Sequence, residues 1–100
     1  MLKLGQSYFT DNIQLRYLNV KEDGLLLPLF AFVVSAKTEK LAVNRNLLKR
    51  RGRHILRDIG KSIGHNVACV FFFKKGAVQL KFEELRWQIV LLLKKAKLIG

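Results

Sequence analysis

The stretch AVNRNLLKRRGRHILRD, residues 42–58, carries six Arg or Lys and a single Asp. Like charges three or four positions apart on a helix repel and gain nothing from one another, so such a gathering implies a neutralising group outside the chain. Wound at roughly 100° per residue with Arg45 as origin, Lys49, Arg53, Asn46, Arg57 and Arg50 fall at roughly 40, 80, 100, 120 and 140°. On the same winding Ile55, Leu48, Leu41 and Ile59 lie at about 280–320° and Leu56 near 20°, a stripe of the kind a core-facing helix needs. The segment is read as an amphipathic helix whose apolar stripe faces a sheet and whose cations form one arc.

A solvated surface helix would explain charge alone, but such helices mix signs, because opposite charges at i and i+4 support them. This arc has no acid on it. It prefers Arg, whose planar five-donor group suits phosphate oxygens. Nucleic acid is the partner that best fits; an acidic protein, a membrane surface and plain solubility are the other readings.

One hundred residues make one domain, taken as 1–100, with room for a single core. Nineteen Lys and Arg against seven Asp and Glu give a net charge of +12, which favours polyanionic partners. The lone Cys69 lies in the apolar run VACVFFF, which suits a buried thiol and excludes an intrachain disulfide. LLLPLFAFVV at 25–34 holds Pro28 and is about half the roughly 20 residues of a membrane-spanning helix. No secretion signal is read at the N-terminus, so the expected location is the cytoplasm.

Along the chain, NIQLRYLNV at 12–20 alternates Ile13, Leu15 and Tyr17 with Gln14, Arg16 and Leu18, the pattern of a half-buried strand. KEDG at 21–24 is a turn. Leu29 to Ser35 is apolar on both sides and predicts a central strand covered on both faces. The basic helix, the loop GKSIGHN, a strand at VACVFFF and a KKG turn follow. FEELRWQIVLLLKKAKL closes the chain as a helix, with Glu83 and Glu84 in its first turn and Lys94, Lys95 and Lys97 in its last, matching the helix dipole. The order is β-β-α-β-α.

AVNRNLLKRRGR at 42–53, read as A-V-x-R-N-x-x-K-R-x-x-R, resembles the signature of the bacterial ribonuclease P protein subunit. The preceding FVVSAK is similar to that family's F-x-V-S-K-K, and the likeness continues through the K-G turn to a C-terminal helix ending in lysines. The resemblance implies an α/β (α+β) two-layer sandwich with a left-handed β-α-β crossover, an exception to the usual right-handed rule. It implies a small protein partner of a catalytic RNA that removes the 5′ leader from precursor tRNA. By position Arg45, Asn46, Lys49, Arg50, Arg53 and Arg57 would bind RNA, with Ser35 and Lys37 beside them. The family's leader cleft lies between the sheet and an N-terminal helix, and Gln14 and Arg16 could face it. This sequence departs from the pattern in four places: the N-terminal helix has no counterpart, the loop TEKL is one residue longer, Gly52 replaces a large aliphatic residue, and His54 replaces a usual Glu. Gly52 is expected to cost about 1 kcal/mol in helix propensity and to remove core volume as well.

The residues agree with a protein that makes no cut itself. Phosphodiester hydrolysis at a protein site usually needs clustered carboxylates or His around two metal ions, and here the acids are scattered and have structural explanations. His54, His65 and Cys69 lack metal-ligand spacing. GKS at 60–62 lacks the Gly that a phosphate loop requires at position 55. No catalytic residue and no protein metal site is expected; Mg²⁺ would be held mainly by RNA and substrate. The expected partners are ribonuclease P RNA and precursor tRNA, with neither membrane nor DNA. Asn46 could bridge RNA to the helix or cap the helix start. A non-catalytic ribosomal or assembly-type RNA-binding module of the same fold is the alternative function. Helix-turn-helix binding to DNA is disfavoured because a strand, not a helix, precedes the basic segment.

Overall fold

The computed structural model describes residues 6–19, 29–60, 63 and 67–99. Strands β1 (Gln6–Phe9), β2 (Ile13–Asn19), β3 (Leu29–Val33) and β4 (Val67–Phe73) and helices α1 (Ala42–Ile59) and α2 (Phe82–Lys95) build it, with a short 3₁₀ turn at Ala77–Gln79. The four strands form one sheet in the order β1-β2-β4-β3. β1 pairs antiparallel with β2, β2 antiparallel with β4, and β3 parallel with β4. Parallel neighbours need a long connection, and here it runs through α1, the β-α-β unit to which the resemblance attaches an unusual hand.

Alternation decides the faces of the sheet. Ile13 and Leu15 of β2 stand opposite Phe73 and Phe71 of β4, and all four are buried. Val67 and Cys69 continue the inward row. Against it α1 places Leu48, Ile55 and Leu56, and α2 places Leu85, Ile89, Leu92 and Leu93, in one continuous core. Each such aliphatic or aromatic side chain contributes about 1.5–3 kcal/mol when fully buried.

The sheet differs from the sequence reading in two ways. A further strand, β1, precedes the others; the four residues QSYF are too few to display a period, and pairing with β2 is what makes them a strand. β3, expected to be central, is the edge strand, and its outward Val33 is 39% exposed. The run is apolar on both sides, yet Phe30 and Phe32 pack against the core and Val34 joins it, while Ala31 and Val33 are exposed. The 21–24 turn, Pro28, His65 and the first five residues, which bear on the expectation about the family's N-terminal helix, lie outside the described residues.

Helix termini have local causes. No acid occupies the first turn of α1, and its N-cap, Leu41, offers no side-chain acceptor. Before α2, the Lys81 N–H donates to the Glu84 carboxylate at 3.1 Å. α2 stops at Lys95, short of the expected Leu98: Lys97 takes φ 60°, and the N–H groups of Leu98 and Lys97 donate to the carbonyls of Leu93 and Lys94. These are the two bonds of a Schellman ending, usually built with Gly at that position. The KKG turn holds as read, with Gly76 at φ 90°.

Candidate nucleic-acid interface

Winding α1 onto the sheet sorts its cations. Buried Leu48, Gly52, Ile55 and Leu56 face the core. On one flank Arg51 donates to the Leu80 carbonyl at 3.3 Å, His54 meets the edge of the Phe82 ring at 5.4 Å, and Asp58 pairs with Arg86 at 3.4 Å. The helix's only acid is thus turned toward α2, away from the arc. Asn46, Arg50, Arg53 and Arg57 are exposed, and Arg45 and Lys49 half-exposed. Among the described residues none of the arc's cations pairs with a carboxylate. The start of α1 already meets one carboxylate, since Glu39 Oε2 accepts from the Leu41 N–H at 3.2 Å, but the cations along the arc, paired with no described carboxylate, make a surface that attracts anions.

The expected residues play different parts. The Arg45 guanidinium donates to the carbonyls of Glu39 and Lys40 at 2.7 and 3.0 Å, so it pins the incoming loop to the helix. Asn46 is not a cap: Leu41 holds that position, and Asn46 stands on the exposed arc. The Ser35 hydroxyl donates to Thr38 Oγ1 at 2.8 Å and accepts from the Thr38 N–H, closing the turn that carries exposed Lys37. The loop between β3 and α1 is therefore held at both ends, by Ser35 and by Arg45.

Gln14 and Arg16 lie on the opposite side of the sheet from α1. Register puts Phe9, Gln14, Phe72 and Val33 in one row across all four strands, and Ser7, Arg16, Val70 and Ala31 in the next. No described helix covers these rows, and Phe9 is 51% exposed. The Lys74 ammonium stands 4.5 Å from the centre of the Phe9 ring, and Lys95 Nζ donates to the Phe9 carbonyl at 3.3 Å. Sequence reasoning missed Phe9 and Lys74 because β1 was not read as a strand. It also passed over Phe72, which period two in VACVFFF assigns to the outer face.

Gly52 is the main correction. It sits within the apolar stripe, but no core volume is missing there: a Cβ at this position would stand 2.5 Å from the Phe32 ring, which fills the space. Phe32 in turn stacks on Phe71 and Phe73 at 5.5 and 6.1 Å.

Chemically the described residues offer charge, hydrogen-bond donors and aromatic surface. They contain no group of three or more His, Cys, Asp or Glu able to hold a metal ion, so they do not fit a Mg²⁺ cage. Burial pushes the Cys69 thiol up to about 12, which keeps it protonated at neutral pH. No helix among the described residues is long and apolar enough to cross a membrane.

A four-stranded α/β sheet backed by two helices, one bearing an acid-free cationic arc, defines the class: a small α/β fold with its cations concentrated on one helix. The family model described as Ribonuclease P matches residues 1–97, and the chain belongs to the ribonuclease P protein family. The Staphylococcus aureus RNase P protein superposes with a TM-score of 0.81 at 19% identity, covering 96% of this chain and 84% of that one. The Thermotoga maritima RNase P protein gives 0.78 at 24% identity, with 91% and 83% covered. The same Thermotoga maritima protein in complex with 1-(4-fluorophenyl)-2-thiourea gives 0.76 at 25% identity, with 91% and 85% covered. No curated protein sequence matches the chain.

Proposed function

We propose that this chain binds the catalytic RNA of ribonuclease P through the α1 arc and promotes endonucleolytic removal of the 5′ leader from precursor tRNA in the cytoplasm. The observation that carries this reading is the arc: Lys49, Arg50, Arg53 and Arg57 share one side of a helix whose only acid is engaged elsewhere. Its cations neutralise crowded phosphates, releasing counterions and lowering the Mg²⁺ that the RNA needs to fold and to dock its substrate. Arg45 orders the loop that presents Ser35 and Lys37 to the same RNA. Mg²⁺, held mainly by RNA and substrate, would supply the cleavage chemistry.

The open side of the sheet serves the leader. An unpaired strand stacks its bases on aromatic groups and places its phosphates near cations; Phe9 and Phe72 supply the rings, Arg16 and Lys74 the charge, and Gln14 a donor and an acceptor. α1 and the open face lie on opposite sides of the sheet, so catalytic RNA and leader can be held at once.

Reconstitution with the ribonuclease P RNA of the same genome and a precursor tRNA at low Mg²⁺ tests this. Cleavage should depend on the chain. Equal cleavage with and without it would contradict the proposal, and RNA binding with no effect on cleavage would favour the non-catalytic module.

A further inference from the structure

Between α1 and the edge strand β3 lies a shallow depression of about 280 Å³ lined by Phe30, Phe32, Arg53, Leu56 and Arg57. Its aromatic floor is set by two glycines, Gly52 within α1 and Gly60 at its C-cap, whose missing side chains leave room for the rings. A Cβ on Gly52 would meet Phe32 at 2.5 Å, and one on Gly60 would meet Phe30 at 3.3 Å. Both rings therefore close onto the helix at these positions, with Arg53, Leu56 and Arg57 bordering them. β3 ends the sheet, and among the described residues no further strand closes this side. Arg53 and Arg57, one helical turn apart, stand exposed at the rim, and no described carboxylate pairs with either.

We propose that this slot receives a single unpaired RNA base, with Arg53 and Arg57 on its flanking phosphates; the assignment rests on the RNA-binding reading of α1. Unpaired bases stack on aromatic rings and on guanidinium planes, whereas paired bases keep their faces inside the duplex. The depression is just below the roughly 300–1,000 Å³ of pockets for drug-sized ligands. One base suits it; a whole cofactor does not. A carboxylate-bearing peptide would satisfy the arginines yet make no use of the rings.

The test uses aromatic and guanidinium NMR signals of the full chain, titrated with hexauridylate, with an abasic ribose-phosphate oligomer carrying as many phosphates, and with a glutamate peptide. Arg53 and Arg57 should respond to both nucleic-acid probes, and the Phe30 and Phe32 rings to hexauridylate alone. Rings that stay still, or move equally with the abasic oligomer or the peptide, overturn the slot while leaving the arc intact. Guanidinium signals silent to both nucleic-acid probes overturn the RNA-binding reading and the slot with it. As a second arm, Phe30→Leu, checked for an unchanged thermal midpoint, should weaken hexauridylate binding on the order of fivefold or more and leave abasic binding unchanged. Equal affinity of this variant and the parent for hexauridylate would also overturn the slot.

Discussion

Gly52 and Phe32 are complementary across the α1–β3 interface: the glycine supplies the space that the ring occupies, and a Cβ added there would stand 2.5 Å from the ring's Cε1. Gly52→Leu should therefore destabilise the protein by about 1–3 kcal/mol through overpacking, although a helix interior gains about 1 kcal/mol when Gly is replaced by a helix former. Chemical denaturation measures the net. Combining Gly52→Leu with Phe32→Ala should recover part of the loss, with a coupling of about 0.5–3 kcal/mol. Strictly additive losses would deny the complementarity.

Gln88, only 8% exposed, joins three elements. Its Oε1 accepts from the Thr10 hydroxyl at 2.7 Å, its Nε2 donates to Asn12 Oδ1 at 3.2 Å, and Asn12 donates onward to the Lys75 carbonyl. Gln88→Leu strips Asn12 Oδ1 of its donor and leaves the Thr10 hydroxyl only the Ile13 carbonyl at 3.3 Å, and should cost about 1–3 kcal/mol, again read by denaturation. Parent-like stability would mean that the network is idle.

Lys97 holds a left-handed conformation at the end of α2 without being Gly. Lys97→Gly should raise stability by roughly 1 kcal/mol, since an L side chain pays about 1–2 kcal/mol there. A lowered thermal midpoint would refute this.

Cys69 ties stability to alkaline pH. Its thiol titrates at about 12 in the fold against an ordinary 9.0, so between these values the unfolded chain has lost a proton that the folded one keeps. Ionisation then favours unfolding, and this contribution to stability, full below pH 9, is lost as pH rises toward 12. Cys69→Ala should flatten the decline over that window, measured by denaturation at stepped pH. An unchanged slope would place the pH dependence elsewhere.

How much of this was legible in the chain depends on the range of the interaction. The α1 arc, the buried pair Ile13 and Leu15, and the outward Gln14 and Arg16 follow from periodicity, because one element decides which way its side chains point. The edge position of β3 depends on which strand pairs with which, and LFAFV carries no record of that. The filling of the Gly52 gap by Phe32 joins residues twenty positions apart, invisible to helical winding. Arg45 looked like one more arc cation, and only the carbonyls of Glu39 and Lys40 reveal its second task.

On the open face, Arg16→Ala and Phe9→Ala should each weaken precursor tRNA binding by the reconstituted particle several-fold, on the order of 1 kcal/mol. Mature tRNA, which lacks the leader, should bind as before. Equal losses for both ligands would remove the leader from this face.

The account stands on the α1 arc meeting RNA phosphates, and a salt titration of binding to the ribonuclease P RNA tests that most directly. With about five phosphates engaged, a fourfold rise in salt should weaken binding on the order of 10² or more, and replacing Lys49, Arg50 and Arg53 by Ala should reduce the slope by roughly one for each phosphate no longer neutralised. A shallow slope, or one that the triple replacement leaves unchanged, would contradict it.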